Sequence, residues 1–273
     1  MNNLFSIEGK IALVTGGSRG IGEMIAAGFL ANGAKVYISS RKAEVCDETA
    51  NRLQEQYGGE CISLPADLSN LNGIESLVNS LPDGEKLDIL VNNAGASWGE
   101  PIDEYSEKGW DKVMDTNVKG VFFLTQKLLP LLRSSATAED PSRVINIGSI
   151  DGIKTGLFDA FSYGPSKAAL HHLTRFLAAS LVKENIIVNA IAPGPFPTWM
   201  LSTGVGGGGD LDINWDEVGN SNPRGRVGTP EDIAGLAIFL CSRAGAYTVG
   251  ETITCDGGCL LYTSDAADES RGV

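Results

Sequence analysis

The stretch K-I-A-L-V-T-G-G-S-R-G-I-G at residues 10–22 joins an apolar, β-branched run to a glycine-rich turn. A glycine-rich turn alone is weak evidence of function. Here, however, Gly16, Gly20 and Gly22 lie directly between a predicted strand and a predicted helix, which is the context of a nucleotide-binding turn. Glycines permit a tight turn and a close backbone approach, and the N-terminus of the following helix favours a pyrophosphate. The stretch therefore predicts a nucleotide-binding βαβ unit.

Outward from this turn, short apolar segments alternate with helical patterns. The predicted strands are 10–15, 35–39, 61–64, 87–91, 143–147, 186–191 and 251–255, and helical patterns begin near residue 20 and cover 43–57 and 71–81. This alternation predicts an α/β fold: a doubly wound (Rossmann) sheet of about seven parallel strands with helices on both faces. We expect one domain over residues 1–258, with the ligand crevice beyond the C-terminal strand ends.

Two segments interrupt the alternation. Residues 134–142 are small and polar, and they predict a surface loop. Residues 193–223 are rich in glycine and proline and include four consecutive glycines at 206–209. They predict a mobile lid over the strand ends, with a merely disordered loop as the alternative.

Composition narrows the function classes. The 273 residues are 42% hydrophobic and 20% charged, as in an ordinary globular protein. The net charge of −13 disfavours nucleic acid and membrane surfaces as partners. We find neither a signal peptide nor an apolar run long enough to span a membrane, so we expect a cytoplasmic protein.

Cysteine and histidine usage gives no metal or disulfide pattern. The five cysteines are odd in number and include no C-x-x-C pair, so we expect reduced thiols. The adjacent His171 and His172 point in different directions on a helix, and we expect them to lie on its surface and to bind no metal.

The C-terminal residues 259–273 are expected to be foreign to the protein. Residues 259–269 read C-L-L-Y-T-S-D-A-A-D-E, which is the translation of transposon-adapter DNA used in sequencing libraries. An ordinary polar tail is the alternative. We excluded these residues from the fold prediction.

Tyr163 and Lys167 stand four residues apart at the start of an apolar helical pattern, fourteen residues after Ser149. On a helix this spacing places both side chains on one face, so the Lys167 ammonium can favour the ionised form of the Tyr163 phenol. A phenol tuned in this way can transfer a proton near neutral pH. Together with the glycine turn, the set predicts a nicotinamide-dependent carbonyl/alcohol enzyme.

The end of the second predicted strand indicates which nicotinamide cofactor is used. NAD sites place an acidic residue there, whereas residues 39–42 read S-S-R-K. Arg41, with Arg19 of the glycine turn, could form a cationic pocket for a 2′-phosphate. We therefore expect NADP(H), the alternative being that both arginines are simply solvated.

Further motifs follow the predicted strands. Asp67 follows the third strand, N-N-A-G at 92–95 the fourth, Ser149 the fifth, and Pro193 with Gly194 the sixth. All should reach the same edge of the sheet. Through these motifs the chain resembles the short-chain dehydrogenase/reductase family over nearly all of residues 5–258. Further matching residues are D-L at 67–68, Asn117, P-G-P-F-P-T at 193–198 and D-G-G at 256–258.

The resemblance implies a role for each matching residue. It implies Tyr163 as acid/base, Ser149 as the residue that orients the carbonyl, and Lys167 as ribose binder and phenol tuner. It implies Asn117 as the holder of a proton-relay water, Asp67 and Asn93 on the adenosine side, and Thr198 at the nicotinamide amide. The implied cofactor-binding residues are Gly16, Ser18, Arg19, Gly20, Ile21, Gly22, Arg41, Asp67, Leu68, Asn93, Ala94, Gly95, Tyr163, Lys167, Pro193, Gly194 and Thr198.

Within the family the chain looks most like 3-oxoacyl thioester reductases of the rhamnolipid-biosynthesis type, through I-N-I-G-S at 145–149 and Y-G-P-S-K-A-A-L at 163–170. Apolar residues of the predicted lid suit an acyl chain or pack internally; they are Phe196, Trp199, Met200 and Leu201. Glu184 stands where bacterial fatty-acid reductases usually have the arginine that docks an acidic carrier, and the negative charge also disfavours that carrier.

Other substrates and states remain open at this stage. They include coenzyme A thioesters, sugars, polyols and xenobiotic ketones, and a nucleotide-binding regulatory or scaffold protein without turnover. The resemblance also implies a homotetramer or homodimer, with helices near 117–132 and 162–183 packing across subunits. Phe122, Leu129, Leu173 and Phe176 would serve that contact or an internal core.

Overall fold

The computed structural model describes residues 3–156, 159–202 and 213–261, which contain one parallel sheet of seven strands. The strands are β1 (Ile11–Thr15), β2 (Lys35–Ser39), β3 (Cys61–Ser63), β4 (Ile89–Asn92), β5 (Ser142–Ile147), β6 (Ile186–Pro193) and β7 (Thr252–Cys255). The helices are α1 (Gly20–Ala31), α2 (Ala43–Tyr57), α3 (Leu71–Asn79), α4 (Glu107–Met114), α5 (Gly120–Ser135), α6 (Tyr163–Leu181), α7 (Trp199–Ser202), α8 (Trp215–Asn220) and α9 (Pro230–Cys241).

The strand order is β3-β2-β1-β4-β5-β6-β7, and every neighbouring pair is parallel. The chain fills one half of the sheet up to β3 and then returns to pair β4 with β1. This reversal opens a crevice beyond the C-terminal ends of β1 and β4. The doubly wound fold predicted from the sequence is confirmed.

Helices cover both faces of the sheet and bury two apolar clusters. One cluster joins β1 and β2 to α1, α2 and α9, and Phe29, Cys46 and Ile233 are fully buried in it. The other joins the opposite face to α3, α5 and α6. Because they are covered on both sides, β4, β5 and β6 are buried along their whole lengths, which explains their continuous apolar runs.

A buried polar chain links the centre of the sheet to α5 and α6. Asn92 and Asn146 are opposite each other in the β4–β5 register, and the Asn92 amide donates to Asn146 Oδ1 at 2.9 Å. Asn92 also donates to Thr125 of α5 at 3.1 Å, and Asn146 donates to Thr174 of α6 at 2.9 Å. Leaving a buried amide or hydroxyl without a partner is costly, so these contacts fix both helices against the strands that end at the crevice.

The predictions for the two segments that interrupt the strand–helix alternation have different outcomes. The predicted loop at 134–142 is shorter, because α5 continues to Ser135 and the buried Ser142 opens β5, donating its hydroxyl to the Leu132 carbonyl. The segment 193–223 contains α7 and α8, whereas its glycine run at 206–209 lies outside the described residues. The lid therefore stays a prediction.

Of the C-terminal residues 259–273, the structure describes only 259–261. Cys259 and Leu261 close a turn on Asp256 and Gly258 through backbone hydrogen bonds. Over the described part of the chain, no helix is long and apolar enough to cross a membrane.

Candidate active site

The glycine turn forms a tight cradle between β1 and α1. Gly16 and Gly20 have positive φ values of 63° and 58°, which only glycine adopts at little cost. A Cβ on Gly22 would lie 2.4 Å from the Gly16 carbonyl oxygen and 2.4 Å from Asn93 Nδ2, so no side chain fits there. Asn93 holds the turn by donating to the Thr15 and Gly16 carbonyls at 2.9 and 3.2 Å.

The start of α1 fits an anionic ligand. No side chain caps its first turn, so backbone N–H groups at this end face the cradle without a side-chain acceptor. Such an end binds phosphate well, because the helix dipole adds to the hydrogen bonds. The neighbouring Ser18 is buried and its carbonyl accepts the Thr49 hydroxyl, while Ile21 packs against the core.

Basic residues surround the outer side of this cradle. Arg41 is exposed just beyond β2, and Ser39 at the end of that strand is buried with no hydrogen-bond partner for its hydroxyl within the described residues. Arg19 is exposed, and its guanidinium carbon lies 4.5 Å from the ring centroid of Trp199 in α7. The Arg41 and Arg19 guanidinium groups and the Ser39 hydroxyl suit a phosphate near the end of β2. Through Trp199, Arg19 also contacts the opposite side of the crevice.

The remaining predicted cofactor residues differ in their exposure and in their hydrogen bonds. Asp67 is exposed and accepts from the Ser69 amide at 3.1 Å, whereas the Leu68 side chain is buried in the core. Ala94 donates its amide to Thr15 Oγ1 at 3.0 Å. Thr198 lies close to the glycine turn from the opposite side of the crevice, because a Cβ on Gly20 would be 3.3 Å from Thr198 Cγ2.

Pro193 and Gly194 lie at the end of β6. A Cβ on Gly194 would lie 2.7 Å from the Asp256 backbone, so the close approach of β6 to the D-G-G motif requires a glycine. The predicted residues from β1, β4 and β6 therefore meet at one edge of the sheet.

Ser149, Tyr163 and Lys167 converge beside the cradle. Ser149 follows β5 and is 8% exposed, Tyr163 begins α6, and the Ser149 side chain is close enough to the Tyr163 phenol to lower its pKa. Lys167 is one helical turn further on, and its ammonium lies 5.6 Å from the Tyr163 ring centroid. Lys167 is 4% exposed, and its ammonium donates to the Ile147 carbonyl at 2.7 Å.

Burial changes the proton affinities of this group. It raises the pKa of Tyr163 to about 12; the Ser149 hydrogen bond lowers it and the nearby Asp151 carboxylate raises it further. Burial lowers the pKa of Lys167 to about 8. The pKa of Tyr163 is therefore raised, and not lowered towards neutrality as expected, because desolvation of the phenol outweighs the stabilising effect of neighbouring groups on its ionised form.

Asn117 occupies a π-helical turn, Asp115–Lys119, between α4 and α5. Its side chain accepts from the Ala96 amide at 2.8 Å and donates to the Ala96 carbonyl and Ser166 Oγ, both at 2.9 Å. A Cβ on Gly95 would lie 3.3 Å from Asn117 Oδ1 and 3.6 Å from Lys167 Nζ. The amide thus joins the loop after β4 to α6.

Sequence reasoning missed two polar residues of this region. Asp151 lies two residues after Ser149, is partly buried, and has a pKa raised by desolvation. His171 is 7% exposed, so its predicted surface position is wrong, whereas His172 is exposed as predicted. The spacing could have revealed His171, because it repeats the four-residue step from Tyr163 to Lys167.

Comparison with known proteins identifies the family. The family model described as enoyl-(acyl carrier protein) reductase matches residues 16–260. The rhamnolipids biosynthesis 3-oxoacyl-[acyl-carrier-protein] reductase of Pseudomonas aeruginosa is 52% identical over 259 residues, covering 94% of this chain and 99% of that protein. The chain belongs to the short-chain dehydrogenase/reductase family.

Solved structures agree with this membership. The Pseudomonas aeruginosa RhlG/NADP active-site complex superposes with a TM-score of 0.86 at 51% identity, covering 94% of this chain and 99% of that one. L-Sorbose reductase from Gluconobacter frateurii, complexed with NADPH and L-sorbose, gives a TM-score of 0.84 at 31% identity, covering 95% and 99%. This short-chain dehydrogenase/reductase thus shares its whole fold with reductases of two unlike substrates.

Proposed function

We propose that the protein is an NADP(H)-dependent oxidoreductase that reduces the keto group of a 3-oxoacyl thioester to a hydroxyl. The observation that carries this proposal is the convergence of the Tyr163 and Ser149 hydroxyls beside the glycine cradle, with the Lys167 ammonium one turn away. The thioester is supported by the name of the 52% identical Pseudomonas aeruginosa reductase.

Ser149 and Tyr163 would act on the substrate carbonyl oxygen. The reduced nicotinamide, when bound, supplies hydride to the carbonyl carbon, and the carbonyl π electrons move onto oxygen. Ser149 donates a hydrogen bond to that oxygen, and Tyr163 passes its phenolic proton to it, which completes the alcohol. Since the charge develops on oxygen only as the bond to hydrogen forms, these donors stabilise the transition state more than the ground state.

The pKa values fit the direction of reduction. A phenol with a pKa of about 12 holds its proton at neutral pH and is available as the acid. Lys167, with a pKa of about 8, is mainly charged at pH 7 and stabilises the phenolate left behind. In the proposal Lys167 also binds the cofactor ribose, and Asn117 holds the water that returns a proton.

The cofactor proposal is NADP(H). The cradle of Gly16 and Gly22 with the uncapped start of α1 suits the pyrophosphate, and Arg19 and Arg41 supply positive charge for the 2′-phosphate. The presence of NADP or NADPH in the two related structures supports the same cofactor here.

We propose a coenzyme A thioester rather than a thioester on an acidic carrier. Glu184 forms an exposed ion pair with Arg133, so the surface at this position is neutralised rather than basic. The net charge of −13 would also repel an acidic carrier. Trp199 and Met200 are 54% and 38% exposed on the crevice segment and can contact an acyl chain, whereas Phe196 is a core residue at 2%.

A sugar ketone is the second candidate substrate. It is favoured by the similarity to L-sorbose reductase, and the same Tyr163–Ser149 pair would serve it. The two candidates differ in the apolar area that they offer to Trp199 and Met200.

The test is NADPH oxidation by the purified protein with acetoacetyl coenzyme A, beside L-sorbose, an NADH control and the Tyr163→Phe variant. We expect turnover that prefers NADPH, and a loss on the order of 10² to 10⁴ in rate in Tyr163→Phe, which lacks the proton to donate. Tyr163→Phe should still bind NADPH, as measured by cofactor fluorescence. Near-normal turnover in that variant would remove Tyr163 from the proposed role.

We also propose a cytoplasmic homotetramer. Phe176 is 63% exposed on α6 and makes an edge-to-face contact with His172, so its apolar ring is available to a second copy. Light scattering measures the mass directly, and Phe176→Glu should lower it; an unchanged mass in that variant would exclude this face as the contact.

The boundary of the native sequence is proposed near Gly258. An adapter-free clone of the gene, sequenced across this junction, should lack the codons for 259–273. The same codons in such a clone would show that these residues are native. Light scattering on chains ending at Gly258 and at Val273 then shows whether they affect assembly.

A further inference from the structure

One stripe of α6 carries a third polar residue beyond the two proposed for chemistry. Tyr163, Lys167 and His171 follow each other at four-residue steps and therefore share a helix face. His171 is 7% exposed and lies beneath the turn that follows β5. The proposed mechanism assigns it no role.

The turn from Gly148 to Gly152 rests on the imidazole. The Ser149 backbone N–H donates to His171 Nε2 at 3.5 Å. A Cβ on Gly148 would lie 2.0 Å from that nitrogen, and a Cβ on Gly152 would lie 2.8 Å from Cε1. Both glycines that flank the turn thus leave room for the ring, and the ring fills the space under Ser149.

The charge state of His171 suits an acceptor. Burial lowers its pKa to about 4, and the nearby Lys167 and Arg175 lower it further. The imidazole is therefore neutral at pH 7, so one ring nitrogen carries the proton and the other accepts. Acceptance at Nε2 requires the proton on Nδ1.

We propose that His171 is a positioning residue: by accepting the Ser149 N–H and filling the space under Gly148 and Gly152, it sets the Ser149 hydroxyl against Tyr163. This inference rests on the proposed function, in which Ser149 orients the substrate carbonyl. The same turn holds Asp151, whose amide donates to Ser149 Oγ at 3.1 Å, so displacement of the ring would disturb both side chains.

The kinetic test compares two replacements of similar size. His171→Leu removes the acceptor, whereas His171→Gln retains an acceptor at the end of a similar reach. One hydrogen bond is worth about 0.5–1.5 kcal/mol, so we expect kcat to fall roughly 2- to 10-fold in His171→Leu, with the KM for NADPH unchanged, and to recover in His171→Gln. Equal losses in both variants would contradict the acceptor role.

Two controls separate positioning from general destabilisation. Ser142→Ala, at the far end of β5, removes a buried hydrogen bond to the Leu132 carbonyl without touching the Ser149 turn, and should leave kcat unchanged. In a Ser149→Ala background, His171→Leu should produce no further loss, because the hydroxyl that it positions is gone. A loss that multiplies in the double variant would show that His171 acts by another route.

A second measurement needs no turnover. Long-range ¹H–¹⁵N spectra of the NADPH-bound protein should show a neutral His171 with the proton on Nδ1 across neutral pH. A proton on Nε2 would overturn the inference even if the protein reduces acetoacetyl coenzyme A. Absence of turnover with every ketone, combined with the expected spectrum, would instead reject the proposed function and keep the structural contact.

Discussion

The two sides of the crevice are built differently. On the side of β1 and α1, backbone atoms approach so closely that a Cβ on Gly22 would lie 2.4 Å from the Gly16 oxygen. On the side that follows β6, α7 presents Trp199 and Met200 with 54% and 38% of their surfaces exposed. One side is fixed by steric contact, and the other presents side chains with room around them.

This difference suits two kinds of ligand: the cofactor, which is the same in every reaction, and the substrate, which can vary. A cradle closed by backbone contacts tolerates little change and suits an invariant group such as a pyrophosphate. Exposed aromatic and thioether side chains can be exchanged without disturbing the core, and they suit a variable substrate. Changes on the first side should therefore affect every substrate alike, whereas changes on the second side should also alter the preference between substrates.

The largest effect should come from closing the cradle. Gly22→Ala forces a Cβ against the Gly16 carbonyl and Asn93, and overpacking of this kind costs about 1–3 kcal/mol. We expect NADPH to bind roughly 5- to 150-fold more weakly, equally for all substrates, since about 1.4 kcal/mol corresponds to tenfold. Cofactor titration by fluorescence measures it.

The matched control for that change is Gly235→Ala, on the exposed side of α9, where a new Cβ meets no atom within 4 Å. It should leave NADPH affinity unchanged and raise helix stability by about 0.5–1 kcal/mol. Equal NADPH affinities in Gly22→Ala and Gly235→Ala would show that the turn is not the cofactor cradle.

The next effect concerns pH. Lys167 has a pKa of about 8, so its ammonium is present below that pH and is lost above it. We expect kcat for reduction to be level at neutral pH and to fall about tenfold per unit well above pH 8, because the neutral amine no longer stabilises the Tyr163 phenolate. A pH profile of NADPH oxidation under substrate saturation measures this.

Lys167→Arg tests the assignment, because its guanidinium stays charged throughout this range. The variant should be slower but should lose the break near pH 8. A break that persists in Lys167→Arg would assign it to another group.

These cases show what the sequence could predict. The seven strands, the glycine turn and the Tyr163–Lys167 spacing were predictable, because period, turn chemistry and the helical repeat are local properties. Desolvation of Tyr163 depends on atoms brought from β5 and its following turn, so its pKa was predicted in the wrong direction. His171 was misplaced for the same reason, because Gly148 and Gly152 meet it only in the folded chain.

Arg19 and Trp199 connect the two sides of the crevice, and breaking this contact should have a moderate effect. A cation–π contact at an exposed site is worth about 0.5–1 kcal/mol, so Trp199→Leu should weaken NADPH binding roughly 2- to 5-fold. Trp199→Phe retains a ring and should lose less. In a double-mutant cycle with Arg19→Ala the two losses should not add, and simple additivity would show that the contact does not contribute to cofactor binding.

The smallest effect on catalysis should come from a substitution at the start of α9, where the chain leaves the crevice. Asp232 accepts from the Thr229 backbone N–H at 2.8 Å and pairs with Arg226 through two nitrogens at 2.5 and 2.9 Å. Both partners are a third or more exposed, so the ion pair contributes little and the helix cap most of the stability. Asp232→Ala should lower the free energy of unfolding by about 0.5–2 kcal/mol.

The pH dependence of that loss has a defined sign. Arg226 holds the pKa of Asp232 well below its usual range, so the carboxylate stabilises the fold at neutral pH, and this contribution declines as the pH falls below the unfolded-state value of about 3.9. Urea unfolding at several pH values should show wild type and Asp232→Ala converging in acid, with kcat at pH 7 unchanged. A fall in kcat would mean that the side of the crevice that follows β6 depends on how Arg226 and Asp232 hold the start of α9. Substitutions on that side would then be tolerated only up to Arg226.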